Sequence, residues 1–322
     1  MKFFTHRTIF LMPILFLIFH APFAHAELNT VSVTASLSNQ AGRAIISSDR
    51  GNHIVVDSVP PLKGPNVALN PIDLMLSALA SCGLFMAESS AKEQFDLTDI
   101  QVIVEGDFNP RGVKEMGAGD PSFRAFRVKI QTTPHLAEID FSIISTAFRT
   151  HCPIYTTLDR AANIAIFNGF NDIGGIAPVT AKVHAQLSNQ PGRAIINARE
   201  IYFIVDSIPP LGGPNEELNP LDLMLGAQAA CVTFVMEAVA NEEQWELASI
   251  SSKVTGHFAA EGVKLASYDI NPRIQRMDIE FVAEGIDLVE RYKMISNLKA
   301  RCPIYTTLSN SIEPINIIDK SM

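Results

Sequence analysis

The chain has 322 residues, of which 47% are hydrophobic and 18% are charged, a composition typical of globular proteins. Its net charge of −9 at pH 7 argues against nucleic acid as a partner, because affinity for phosphate backbones depends on clustered Lys and Arg. Beyond the first 26 residues, we expect no segment long and apolar enough to span a membrane.

The N-terminal 26 residues have the order of a cleaved secretory signal. A short basic stretch precedes an apolar run over residues 8–23, and Ala24-His25-Ala26 offers small residues for cleavage. A membrane anchor fits less well, because Pro13 and Pro22 interrupt the run and its apolar core is short for a span of about 20 residues. We therefore predict that residues 1–26 are removed and that the protein is secreted across the inner membrane into the periplasm.

The rest of the chain repeats itself at an offset close to 150 residues. The recurring segments are LSNQAGRAII at 37–46 and LSNQPGRAII at 187–196, DSVPPL at 57–62 and DSIPPL at 206–211, NPIDLML at 70–76 and NPLDLML at 219–225, and CPIYTTL at 152–158 and 302–308. A period of this length indicates a duplicated domain. Glycines and asparagines at 168–176 mark the boundary, so we predict domains at 27–173 and 176–322, joined by a short linker and packed together.

Each repeat is predicted to hold strands and a buried helix. The helix begins with Asn70 as N-cap, Pro71 as first residue and Asp73 as a carboxylate in the first turn. The run from Asp73 to about Gln94 is apolar on nearly all sides, so this helix must be buried. The other predicted elements are strands at 31–35, 53–57, 100–104 and 126–130 and a second helix at 139–150, with a counterpart at 287–301. The sum is an α+β domain in which a sheet wraps a central helix.

The four cysteines occupy matching places in the two repeats. Cys82 and Cys231 lie in the buried helix, and Cys152 and Cys302 each precede a proline. The chain has no Cys-x-x-Cys and no Cys and His cluster with zinc spacing, so we predict neither a metal nor a cofactor. One structural disulfide per domain is one interpretation, which an oxidising compartment favours. Redox chemistry is the other, because domains of about 150 residues bury enough apolar surface to fold without a covalent link.

A redox-active cysteine needs a stabilised thiolate. Cys82 lies 11 residues beyond Pro71, too far along the helix to gain from its dipole, so it would need a cation. Arg43 and Arg193, each in an Asn-Gln-x-Gly-Arg turn, are the candidates. The alternative is that both are ordinary solvent-exposed turn arginines.

The Asn-Pro-x-Asp-Leu-Met-Leu motif runs into Ser81-Cys82 in one repeat and Ala230-Cys231 in the other, with a Cys-Pro about 70 residues later. This combination resembles the OsmC/Ohr superfamily over nearly all of both repeats. The resemblance implies α+β domains with antiparallel sheets around two central helices, which normally pair as an intertwined homodimer with active sites at the interface. A fused tandem copy would then be a pseudo-dimer within one chain.

The resemblance also implies thiol-dependent reduction of organic or lipid hydroperoxides. Cys82 and Cys231 match the peroxidatic cysteine, which passes through a sulfenic acid. Cys152 and Cys302 match the resolving cysteine, which closes a disulfide for an external dithiol to reopen.

One departure from the family concerns the residue after Asn-Pro. Peroxide-reducing members usually have a glutamate there that holds the activating arginine, whereas this chain has Ile72 and Leu221. Asp73 and Asp222 follow one residue later, but that step turns a helical side chain by about 100° to another face. Two further hypotheses therefore stand beside the peroxidase: a ligand-binding module of this fold without catalysis, and thiol–disulfide exchange with other envelope proteins.

Overall fold

The computed structural model describes residues 27–92, 94–170 and 179–321. The predicted signal at 1–26 and most of the predicted linker lie outside these residues. The strands are β1 Asn29–Leu37, β2 Arg43–Ser48, β3 His53–Asp57, β4 Asp99–Phe108, β5 Ala125–Thr133, β6 Asn163–Asn168, β7 Val179–Leu187, β8 Arg193–Ala198, β9 Ile201–Asp206, β10 Ser249–Phe258, β11 Ile274–Glu284 and β12 Ile315–Asp319. The helices are α1 Pro71–Ala91, α2 Arg111–Lys114, α3 Glu138–His151, α4 Pro153–Leu158, α5 Pro220–Glu243, α6 Leu288–Arg301 and α7 Pro303–Leu308, with 3-10 turns at Pro60–Leu62, Pro209–Leu211 and Ala260–Val263.

The strands form two six-stranded sheets, and each sheet takes three strands from each repeat. The strand orders are β12-β11-β10-β1-β2-β3 and β6-β5-β4-β7-β8-β9. The repeats meet where β1 pairs with β10 and where β4 pairs with β7, both antiparallel. Neither repeat completes a sheet alone, so the two halves are intertwined, as expected for an intrachain pseudo-dimer.

The prediction of antiparallel sheets needs one correction. Four of the five pairings in each sheet are antiparallel, but the outer pairs β5–β6 and β11–β12 are parallel. The reason lies in the connections, because α3 and α4 separate β5 from β6, and α6 and α7 separate β11 from β12. A helical crossover of this kind returns the chain in the same direction.

The central helices begin as the sequence predicts. The Asn70 side chain accepts hydrogen bonds from the amides of Ile72 and Asp73, and the Asp73 carboxylate accepts one from the Asn70 amide. Asn219 and Asp222 form the same capping box on α5. Nearly every residue of both helices is buried, and one hydrophobic core runs through both repeats.

Contrary to the sequence expectation, α1 and α5 are each long and apolar enough to cross a membrane by length and composition alone. The protein itself surrounds them, since 89% and 94% of their most apolar 18-residue windows are buried. Core helices covered on all sides pass the same test.

Candidate functional site

Each repeat closes one disulfide between its central helix and its Cys-Pro segment. Cys82 is bonded to Cys152 with their Cα atoms 6.1 Å apart, and Cys231 is bonded to Cys302 with theirs 6.0 Å apart. The structure therefore brings together the cysteine pairs that the sequence predicted. Among the described residues, no group of three or more His, Cys, Asp or Glu side chains could hold a metal ion.

The Cys-Pro segment places its sulfur at the start of a short helix. Cys152 is the N-cap of α4, Pro153 is the first helical residue, and the Cys152 Sγ accepts a hydrogen bond from the Tyr155 amide at 3.2 Å. Cys302 has the same position on α7, where its Sγ accepts from the Tyr305 amide at 3.2 Å. When the disulfide of either repeat opens, this N–H group is already in place to stabilise a thiolate on Cys152 or Cys302.

A small apolar cavity of about 20 Å³ lies beside the first disulfide, and we name it the Cys82 cavity. It is lined by Cys82, Phe85, Met86 and Pro153 of the first repeat and by Ser207, Ile208, Leu211, Asn219, Pro220, Leu221 and Val263 of the second. Cys82, rather than Cys152, lines this cavity, and it is 3% exposed whereas Cys152 is fully buried. The helix cysteine is thus the sulfur that a small molecule in this cavity would meet.

A second cavity of about 20 Å³, the Cys231 cavity, lies at the other disulfide. It is lined by Cys231, Phe234 and Pro303 of the second repeat and by Ser58, Val59, Leu62, Pro71, Ile72 and Val113 of the first. Each cavity therefore lies between the disulfide of one repeat and the N-terminal end of the central helix of the other. The interface position that the family resemblance implied for the active sites is where both cavities lie.

The two residues that replace the usual glutamate face these cavities. Leu221 lines the Cys82 cavity and Ile72 lines the Cys231 cavity, and both are buried. The position after Asn-Pro thus belongs to the site of the opposite repeat, where this chain supplies an aliphatic surface. Asp73 is directed elsewhere, to its capping box and to Arg199 at 2.6 Å, as the 100° step along the helix predicted.

The predicted arginines lie at turns and pair with buried aspartates. Arg43 donates from Nε to Asp57 at 2.6 Å and from Nη2 at 3.0 Å, and Arg193 makes the same two contacts with Asp206 at 2.7 and 2.8 Å. Their side chains are 25% and 19% exposed, and neither residue lines the cysteine cavities. The structure thus brings the cysteines together but directs both guanidinium groups to other partners, and the catalytic role predicted for Arg43 and Arg193 stays a prediction.

Each aspartate ties its arginine to the loop that leads into the central helix. The Asp57 carboxylate also accepts from the amides of Val67 and Ala68 at 2.9 and 2.8 Å. Burial acts to raise the pKa of Asp57, but the Arg43 and amide hydrogen bonds outweigh it and hold this pKa below its usual range. The Asp-Ser-x-Pro-Pro-Leu segment recurs in both repeats with its aspartate as the last residue of β3 or β9, and this recurrence was the available sequence signal for Asp57 and Asp206.

The arginine turns are also joined to the cysteine helices of the opposite repeat. Glu88 of α1 accepts from the Gly192 amide at 3.1 Å, and Glu237 of α5 accepts from the Gly42 amide at 3.1 Å. Burial raises the pKa of both Glu88 and Glu237, although the glycine N–H of each pair opposes the shift. Gly42 has a φ of +69°, and a Cβ added there would lie 2.9 Å from the Gly64 Cα, so this turn requires glycine.

These features define an intertwined α+β protein with a disulfide and an apolar interface cavity in each half. The OsmC family model, described as OsmC-like protein, matches residues 64–167 and 213–315, one segment in each repeat. Because these segments cover more than half of the chain, the chain belongs to the OsmC-like protein family, and the predicted tandem arrangement is confirmed.

Solved structures of similar fold include an OsmC-like protein from Mycoplasma pneumoniae, with 16% identity over 44% of this chain and 96% of its own, at a TM-score of 0.36. An organic hydroperoxide resistance protein OsmC from Legionella pneumophila has 16% identity over 45% and 98%, at 0.36. The organic hydroperoxide resistance protein OhrB of Bacillus subtilis has 20% identity over 45% and 100%, at 0.31. No curated protein matches the chain.

Proposed function

We propose that this protein is a thiol-dependent reductase of organic hydroperoxides, with one reaction centre in each half. The observation that carries the proposal is the arrangement at each disulfide, where a small apolar cavity reaches the helix cysteine while its partner sulfur is held at a helix start. Two of the solved structures of similar fold named above are of organic hydroperoxide resistance proteins, which supports the same chemistry. The proposed location is the periplasm, following the predicted signal.

In the oxidative half of the reaction, the reduced Cys82 thiolate attacks the terminal oxygen of the hydroperoxide. The oxygen–oxygen bond breaks, the alkoxide takes up a proton and leaves as an alcohol, and Cys82 becomes a sulfenic acid. The Cys152 thiolate then attacks the Cys82 sulfur, a disulfide forms, and the hydroxyl leaves as water after taking a proton. Cys231 and Cys302 perform the same steps in the other half.

In the reductive half, an external dithiol returns the two electrons. Its thiolate attacks the Cys82 sulfur, which the cavity reaches, and the Cys152 sulfur leaves as a thiolate that keeps the Tyr155 amide hydrogen bond. The second thiol of the reductant then releases a disulfide product. A stabilised leaving thiolate accelerates this exchange, so the helix-start position suits the resolving sulfur.

The test is the rate at which the reduced protein loses free thiols on addition of cumene hydroperoxide. The wild type should lose four thiols. The double variant Cys82→Ser with Cys231→Ser should lose no thiols on the time scale of the wild-type reaction. A matched control is Cys152→Ser with Cys302→Ser, which should still react with hydroperoxide but stop at sulfenic acid, trapped by dimedone. Unchanged thiols in the wild type would contradict the proposal.

A ligand-binding module is the second candidate, because none of the described residues that line the two cavities is charged. It requires that a lipid-like molecule bind to the oxidised protein, in which the disulfides are formed. It also requires that the thiols of the reduced protein do not react with peroxide. Calorimetry with a medium-chain fatty acid on the oxidised protein, combined with the thiol assay, separates the two functions.

A further inference from the structure

The Cys82 cavity is too small for the body of an organic hydroperoxide. Its volume of about 20 Å³ is close to the space that one water molecule needs. A group of that size corresponds to the terminal oxygen of a hydroperoxide. The carbon skeleton must therefore lie in a neighbouring space.

A larger groove adjoins this cavity, and we name it the Glu88 groove. Its volume is about 300 Å³, which is the lower end of the range for small-molecule sites, and its surface is mainly apolar. The apolar residues that line it are Ala91, Phe95, Leu97, Ile100, Leu187 and Leu211. Leu211 also lines the Cys82 cavity, so this residue is a wall that the two spaces share.

We propose that the Glu88 groove binds the carbon skeleton of an uncharged organic hydroperoxide and that the Leu211 side chain is the gate through which its terminal oxygen reaches Cys82. The inference rests on the proposed function and adds to it a binding site and a class of substrate. Apolar walls stabilise a hydrocarbon skeleton because they remove it from water.

The backbone of Leu211 is held on both sides, whereas its side chain is partly exposed. Its amide donates to the Ile208 carbonyl oxygen at 2.9 Å, and its own carbonyl oxygen accepts from the Ser89 hydroxyl at 3.0 Å. The gate therefore opens by a change of the Leu211 rotamer, without movement of the backbone. Exposed side chains change rotamer within picoseconds to nanoseconds, so the gate does not limit the reaction by its speed.

The charges of the groove select the kind of hydroperoxide. Among the described residues that line it, three carry a carboxyl group and one carries an ammonium group. The carboxyl groups are those of Glu88, Asp96 and Asp99, and the ammonium group is that of Lys92. Because an excess of negative charge repels an anion, the groove disfavours a free fatty-acid hydroperoxide, which carries a carboxylate at neutral pH.

The experiment uses the full-length protein with only the Cys82 centre, obtained by Cys231→Ser with Cys302→Ser. Pro191→Trp fills the groove and should lower the second-order rate constant for cumene hydroperoxide about tenfold or more, since each methylene group excluded from an apolar site costs about that factor. Hydrogen peroxide, which has no carbon skeleton, should keep its rate. Ala41→Trp is the matched control, because Ala41 has the same position in the other repeat, and it should change neither rate.

A second variant tests the gate. Leu211→Ala should raise the rate with cumene hydroperoxide relative to hydrogen peroxide by about twofold to tenfold, the factor that corresponds to the cost of an unfavourable rotamer. Leu62→Ala, at the matching position in the Cys231 cavity, should leave this ratio unchanged.

The selection by charge is tested with linoleic acid hydroperoxide and its methyl ester, both below their micelle concentrations. The ester should react faster, and Asp96→Lys should reduce its advantage about twofold to fivefold, the usual size of exposed charge interactions. Glu246→Lys makes the same charge change at the matching position of the other repeat and should have no effect.

The outcomes separate this inference from the proposed function. If Pro191→Trp slows both peroxides equally or slows neither, the skeleton does not lie in the groove, although peroxide reduction itself stands. An unchanged ratio in Leu211→Ala overturns the gate, and a free acid that reacts as fast as its ester overturns the selection by charge. If the parent protein consumes neither cumene hydroperoxide nor the lipid hydroperoxides, the proposed function fails, and this inference fails with it.

Discussion

Reduction of the two disulfides should weaken the fold measurably but leave it folded. The bonds close loops with sequence separations of 70 and 71 residues. Chain entropy gives a stabilisation of about 4.4 kcal/mol for each loop at 25 °C. For the 286 residues that the structure describes, the entropy of unfolding converts that value to a fall in Tm of about 7 °C for each disulfide. A core that runs through both repeats should keep the reduced protein native.

The assay is thermal unfolding with and without a phosphine reductant, followed by circular dichroism and by the fluorescence of the single tryptophan, Trp245. The double variant Cys82→Ala with Cys152→Ala is the control, because it should show about half of the fall before reductant is added and the rest afterwards. The reasoning would be refuted if the reduced wild type were already unfolded at 25 °C and showed no cooperative thermal transition above that temperature. The disulfides would then be structural links that the fold requires, not a redox couple that opens and closes.

Three further predictions concern charges around the site. Because the pKa of folded Asp57 lies below the ordinary value of about 3.9, its pairing with Arg43 stabilises the protein above that pH and is lost as the pH falls through the lower folded pKa. Arg43→Gln should therefore lower the free energy of unfolding in urea at pH 6 and lower it less at pH 3; an equal loss at both would contradict the pairing. Leu221→Glu places a carboxylate in an apolar cavity without a cation, so it should raise the pKa of reduced Cys82. Alkylation by iodoacetamide at pH 7 should then slow about tenfold for each unit by which this pKa rises. An unchanged alkylation rate would place the new carboxylate outside the cavity. Arg199→Ala leaves the buried Asp73 without its cation and should cost about 2 kcal/mol in urea unfolding, less than a fully buried pair because Arg199 is one-third exposed; no loss would show that the pair contributes nothing.

Local signals in the sequence sufficed for the central helix and its cap. Asn70, Pro71 and Asp73 act within one turn, so their spacing alone determines how the helix begins. The cysteine pairing was likewise accessible, because both repeats keep the same two positions. The parallel outer strands were missed, since the helical crossover from β5 to β6 ends with a six-residue helix, α4, that was not predicted as an element.

Contacts between the repeats lay beyond sequence reasoning. The hydrogen bond from Gly192 to Glu88 joins residues 104 positions apart, and no local pattern indicates it. The position of Leu221 beside Cys82 likewise depends on how the two central helices cross between the halves. The choice of arginine partner was open for the same reason, because a turn arginine finds its acceptor only when the sheet brings β3 alongside β2.

The most direct test of peroxide reduction is mass spectrometry of the reduced protein before and after limiting cumene hydroperoxide, with the alcohol product measured in the same sample. The account predicts that each hydroperoxide consumed yields one cumyl alcohol and one disulfide, either Cys82–Cys152 or Cys231–Cys302, with no other cysteine linkage. Four intact thiols beside unconsumed hydroperoxide, or disulfides formed without alcohol, would contradict it.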